Sequence, residues 1–297
     1  MNFRKWVSRI TLPFPTSSAK KQLAEIELDR GREKRMQGLC KLCLKIKELQ
    51  ESHLIPAFAY RLIQKSQGSA PVMLTAKRIG VSSRQVKAHE LCWDCEQMLR
   101  DNGEDWMSQW VFDGTDFPLL SRLKVAMPDW ERNNHTAYSG AACGIDTAKI
   151  VYFGASVLWR ASLRRWTIGT TETTTVNLGT YQEPLRKFVH CEAPFPTDGV
   201  AIITVCTDFA SQGCFFTPCA IPDAPATGYS LLLLGVSFRF FFGPNVPSEF
   251  RRFCCVHSSR IIVTDHSQQS QHSYGHLFQT AKESRKLKEM VATRSGG

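Results

Sequence analysis

Two cysteine pairs of the form CxxC, Cys40 with Cys43 and Cys92 with Cys95, constrain this chain more than any other feature. It has eleven cysteines in 297 residues, a frequency at which roughly 0.4 such pairs arise by chance. A CxxC turn presents two thiolates to one ion without backbone strain, and two such turns complete the tetrahedral set that zinc takes. In a reduced protein such pairs are metal ligands more often than disulfides. The alternative is four unconnected core thiols.

The neighbourhood of each pair favours a shared site. After Cys95 the segment "EQMLRDNGEDWMSQWVF" carries Met98, Leu99, Trp106, Met107 and Trp110 at roughly helical spacing, so Cys92 and Cys95 sit at the start of a predicted helix. The positive end of that helix favours thiolates. Cys40 and Cys43 lie between the charged "RGREKRMQG" and the strand candidate "KELQESHLI", as a knuckle turn requires. Knuckle, hairpin and ligand-bearing helix start together predict a treble-clef zinc fold.

"CKLC", "ELQESHLIP" and "ELCWDCE" together resemble the zinc-containing HNH endonuclease pattern, in which a CxxC pair precedes an Asp-His-Ile-Ile-Pro-like strand and a second CxxC opens the last helix. The similarity covers residues 38 to about 112. The chain also resembles an uncharacterised bacterial group in which a "SHIIP" version of this module precedes a longer region, and there "IVYFGASVLWRASL" (150–163) and "LGTYQEPLR" (178–186) fit as well. The resemblance implies a hydrolase in which His53 is the general base toward water attacking a phosphodiester. Glu96 stands where the last His or Asn of the motif stands and would ligate magnesium or another divalent cation. Ser52 takes the position of the usual metal-binding Asp, and a neutral hydroxyl is a poorer ligand for a hard cation. The middle Asn of the motif falls near Lys87, where there is none, and His89 replaces a missing ligand only if its strand faces His53. The plainer readings are a packed histidine before "LIP" and, for Glu96, a first-turn carboxylate favoured by the helix dipole.

Between the two cysteine pairs, Pro56 starts a predicted helix through about Lys65. "VMLTAKRI" and "QVKAHELC" flank "GVSS" and predict a hairpin feeding the second knuckle. Lys77, Arg78, Arg84 and Lys87 alternate along it, a candidate phosphate-contact surface.

Charge is unevenly spread within the net +10. Residues 1 to 50 hold 12 Lys/Arg against 5 Asp/Glu, residues 251 to 297 hold 8 against 3, and the middle is near neutral. Basic ends suit contact with the backbone of DNA or RNA, because each neutralised phosphate releases counterions. Solvated tails carry such charge too. Beyond Asp113 the character changes: "NNHTAYSGAACG" is a polar linker, 150–166 a helix, and "VAIITVC", "GCFFTPCAI", "YSLLLLGVSFRFFFG" and "RIIVTD" are strand candidates. Six further cysteines, Cys191, Cys206, Cys214, Cys219, Cys254 and Cys255, form no CxxC and are expected as small apolar residues.

The expected fold class is therefore α+β: a treble-clef, HNH-like zinc domain followed by a mixed, mainly antiparallel sheet domain. The expected divisions are a basic N-terminal arm (1–37), the zinc domain (38–138), an α+β domain (139–266) and a basic tail (267–297). The expected cofactors are a structural zinc and, for catalysis, magnesium or another divalent cation. The expected partner is nucleic acid, with no membrane segment, since the longest apolar run is too short to span a bilayer and carries Arg239. The N-terminal stretch is interrupted by Arg9, Pro13 and Pro15 and shows no continuous apolar run, so the expected location is the cytoplasm. No phosphate-cradling glycine loop or serine-nucleophile elbow is present. Two functions follow: a zinc-stabilised nuclease, or the same fold as a non-catalytic binding module for nucleic acid or protein.

Overall fold

The computed structural model describes residues 36–67, 72–74, 79–81, 85–168, 172–174 and 176–264. The basic arm up to residue 35, the basic tail, and Lys77, Arg78 and Arg84 lie outside the described residues.

Strands β1 (Gln37–Leu39) and β2 (Ile46–His53) pair antiparallel around the first cysteine turn. The helix Ala57–Gln67 follows, then β3 (Val72–Leu74), β4 (Ile79–Val81) and β5 (Lys87–Cys92). β5 pairs with β2, giving a small sheet of order β1-β2-β5. The expected pairing of "VMLTAKRI" with "QVKAHELC" is therefore wrong: Val72–Leu74 turns back on Ile79–Val81, and β5 belongs to the cysteine sheet.

The larger sheet gathers β6 (Trp130–Arg132), β7 (His135–Ser139), β10 (Val200–Cys206), β11 (Cys214–Ala220), β12 (Thr227–Leu233), β13 (Val236–Phe242) and β14 (Arg260–Thr264). With β3 and β4 its order is β4-β3-β11-β12-β13-β10-β14-β7-β6. The pairs β3/β11 and β10/β14 are parallel and the others antiparallel, so the mixed α+β class expected from sequence is the class observed. A separate ribbon joins β8 (Trp166–Ile168) to β9 (Glu172–Thr174). The polar stretch expected as a linker contains β7, which pairs with β14, and the boundary expected near residue 138 falls inside that strand.

"YSLLLLGVSFRFFFG" is the β12–β13 hairpin. Leu234 and Gly235 form its two-residue turn with φ of 49° and 84°, the left-handed pair that matches the twist of the flanking strands. β10 is buried at every residue because both sheet faces are covered, which is why it shows no polar alternation. Ile203 and Val205 face the main core, while Val200 and Ile202 pack with Phe241 and Ile262 in a second cluster toward Phe250 and Phe253.

The helix Thr147–Ser162 organises the main core. Asp146 caps it by accepting from the Lys149 amide at 3.1 Å, and every residue from Ile150 to Ala161 is buried. A helix apolar on all sides belongs inside a fold. Phe153 meets Phe238 of the large sheet and Phe58 of the first helix, with ring centroids 5.7 and 5.9 Å apart. Gly154 lets the helix approach: a Cβ there would stand 2.2 Å from the Phe238 ring. One hydrophobic cluster thus runs from Cys40 and Leu42 through this helix to Ile261 and Val263.

Candidate metal centre and adjoining cleft

Cys40 and Cys43 are set by a tight turn in which Leu44 donates to the Cys40 carbonyl and Cys40 to that of Lys45, both at 2.9 Å, with Leu44 at φ 58°. Cys92 ends β5 and caps the helix Trp93–Leu99, whose first turn carries Cys95. β2–β5 pairing brings the two pairs together. All four Sγ atoms lie within 4.8 Å of one another, Cys43 and Cys92 at 3.9 Å, and the Cys92 amide donates to the Cys40 sulfur at 3.3 Å. Zinc–thiolate bonds of about 2.3 Å at tetrahedral angles space sulfurs about 3.8 Å apart. The cluster fits a structural metal ion of that kind.

The electrostatics agree. The Cys95 thiol donates to Cys40 and, with nearby amides, pulls the Cys40 pKa down to about 4 against the effect of burial. Cys95 is pushed up because its proton is shared with that sulfur, and burial raises Cys92. A cation among them would remove this difference, since each coordinated thiol is deprotonated outright. The turn is held from outside by Arg186, whose Nη1 donates to the Leu42 carbonyl at 2.6 Å while its other nitrogens pair with Glu183 and Glu192.

Beside the cluster a cleft of about 550 Å³ opens between β2, the first helix and the helix that starts at Trp93. His53 and Glu96 both line it, together with Glu51, Arg61, Trp93, Arg100, Glu104, Asp105 and Arg160. The His53 Nε2 lies 2.6 Å from the Gln85 Oε1. Glu96 stands in the first helical turn, and its Oε1 is buried with no hydrogen-bond partner. Such an atom asks for a donor or a cation.

Successive strand residues point to opposite faces. Glu51 and His53 line the cleft, whereas Ser52, 1% exposed, turns inward and its Oγ accepts from the Leu91 amide at 3.1 Å. The hydroxyl expected as a weak metal ligand is a structural acceptor inside the sheet. His89, opposite Glu51 in the register, is exposed and is not among the residues lining the cleft, so it replaces no ligand. Lys87, the one expected phosphate contact among the described residues, pairs with Glu51 and holds that carboxylate below its ordinary pKa. Of those six cysteines, Cys206, Cys214, Cys254 and Cys255 are buried as expected, Cys219 is half-buried and Cys191 is exposed; Cys143 is buried too.

Several cleft residues escaped sequence reasoning. After Leu99 the helix widens into a π-helical segment, Arg100–Glu104, a form concentrated at functional sites. Glu96, Arg100 and Glu104 recur every fourth residue, a spacing visible in the sequence. Arg160 comes from the buried helix 147–162 and is 1% exposed; Nη1 donates to the His53 carbonyl at 3.0 Å and Nη2 to Glu104 at 2.7 Å. A lone arginine in "GASVLWRASL" was the available signal. Among the described residues the four cysteines are the only group of three or more metal-ligating side chains close enough to share an ion. A divalent cation in the cleft would therefore have at most two such ligands, the sparse coordination magnesium accepts when phosphate and water complete its shell.

No described helix is long and apolar enough to cross a membrane. Comparison with protein-family models, with curated proteins and with solved structures finds no match.

Proposed function

We propose that this chain is a zinc-stabilised, HNH-like nuclease on a treble-clef scaffold, hydrolysing phosphodiester bonds of nucleic acid with a divalent cation. The observation that carries the reading is the orphaned Glu96 carboxylate oxygen, buried in the same cleft that His53 lines. A carboxylate oxygen without a donor and an imidazole lining the same cleft suit a site completed by a cation and a phosphate. When bound, the divalent ion supplies charge stabilisation at the phosphate. His53 takes the proton of the attacking water, Glu96 holds the cation, and Arg61 and Arg100 stand at the cleft to meet the strand's negative charge. The four cysteines hold zinc and fix β2 against the helix that carries Glu96, which is how the structural ion sets the spacing of the reacting groups.

Cleavage of plasmid DNA and of RNA, with magnesium or manganese added to the purified full chain, tests the reading. The His53→Ala and Glu96→Gln variants are expected to lose two or more orders of magnitude in rate, with zinc content at about one per chain and folding unchanged. No cleavage of either polymer by the parent chain refutes the nuclease. Salt-dependent oligonucleotide binding without cleavage would instead identify a zinc-bearing binding module, the reading that the inward turn of Ser52 favours.

A further inference from the structure

We propose that Gln85 fixes the imidazole tautomer of His53, leaving Nδ1 as its basic nitrogen. The inference rests on the nuclease reading only for what that nitrogen then does.

The geometry is specific. The Nε2 of His53 lies 2.6 Å from the Gln85 Oε1, an oxygen that can only accept, so Nε2 carries the hydrogen and donates. A neutral imidazole has one N–H, and the lone pair falls to Nδ1 on a ring that lines the cleft. Gln85 itself is half-buried and is not among the cleft-lining residues, so it holds the ring from behind. Its position is set by its neighbour: Val86 accepts from the Leu54 amide at 2.9 Å and donates to the Tyr60 hydroxyl at 3.4 Å. His53 is held at its other end by Arg160, which donates to its carbonyl. Ring and backbone are thus both fixed before any substrate arrives, which is what a general base requires of its surroundings.

In the proposed reaction the Nδ1 takes one proton from water as the water oxygen bonds to phosphorus. The leaving oxygen keeps the electron pair of the broken P–O bond and takes a proton from solvent, and His53 returns its own to solvent. The charged groups that line the cleft with His53 are Glu51, which pairs with Lys87, Glu104, which pairs with Arg160, and Glu96, Arg100, Asp105 and Arg61. The hydrogen-bond partner at the imidazole Nε2 is Gln85.

Nitrogen-15 NMR of the imidazole in the full, zinc-loaded chain tests the assignment without any need for activity. Above the His53 titration midpoint the parent protein should show a protonated Nε2 and an unprotonated Nδ1. Gln85→Leu should average the two, and Gln85→Glu, which keeps an acceptor and adds a negative charge, should preserve the tautomer and raise the midpoint by about one pH unit or more. Cleavage by Gln85→Leu should fall about tenfold to a hundredfold in kcat with KM little changed, while Gln85→Glu keeps activity with its pH profile shifted upward. A protonated Nδ1 in the parent, or a Gln85→Leu spectrum identical to the parent's, overturns the proposal. The expected tautomer in a protein that cleaves nothing leaves Gln85's role standing and removes the nuclease reading instead.

Discussion

Ser52 and His53 are adjacent in sequence and opposite in role, because one strand step turns the side chain to the other face. The hydroxyl of Ser52 is a buried acceptor for Leu91, so Ser52→Asp would place a carboxylate where one oxygen keeps that donor and the other has none. We expect a loss of about 2–4 kcal/mol, read as a lower thermal midpoint, and no gain in divalent-cation affinity by titration calorimetry. Tighter magnesium binding in a stable Ser52→Asp protein would show that the strand presents position 52 to the cleft. The identities and spacing of the four cysteines, His53 and Glu96 were legible in the sequence. The side-chain directions were not, because they depend on the β2–β5 register and its irregularity between Gln50 and Glu51, which only the pairing partner settles.

At the scale of elements, the helix 147–162 links the cysteine module to the large sheet, and two substitutions test its two contacts. A methyl at Gly154 would meet the Phe238 ring at 2.2 Å, so Gly154→Ala should push the helix off the sheet despite the higher helix propensity of alanine. The expected cost is about 1–3 kcal/mol in chemical denaturation, and a stabilised variant would refute the close approach. At the other contact Arg160→Met removes the partner of Glu104 and the donor to the His53 carbonyl. Breaking one half of a buried pair costs about 3–5 kcal/mol, and adding Glu104→Gln should restore part of it. The sequence showed this helix by its apolar run. It did not show where the chain's short strands would go: β3 pairs with β11 through three residues each, too little pattern to announce a partner so far along the chain.

Among the described residues one main core runs from the cysteine turn to the large sheet, so the two are not packed as separate units. Strand candidates were readable from their apolar runs and turn residues, but assembly was not, because a parallel pair such as β10 with β14 joins segments with no turn between them to fix the register. The same continuity changes what metal removal should do. The two domains expected from sequence imply that losing a structural metal would unfold the N-terminal part and leave the sheet. In the structure the cysteine turn is tied to helix Gln182–Val189 through Arg186 and Leu42, the end of β2 to helix 147–162 through Arg160, and the first helix to β11 through Tyr60 and Phe215, whose rings lie 5.1 Å apart. Metal binding free energy is then folding free energy for the whole body. Hydrogen exchange after chelation at neutral pH should show protection falling together in β2, β5, β10, β12 and β13, and Cys92→Ser should reproduce it without a chelator. Protection lost from β2 and β5 alone, with β10, β12 and β13 unchanged, would mean that the large sheet stands without the cysteine module and that the contacts through Arg160 and Arg186 contribute little to its stability.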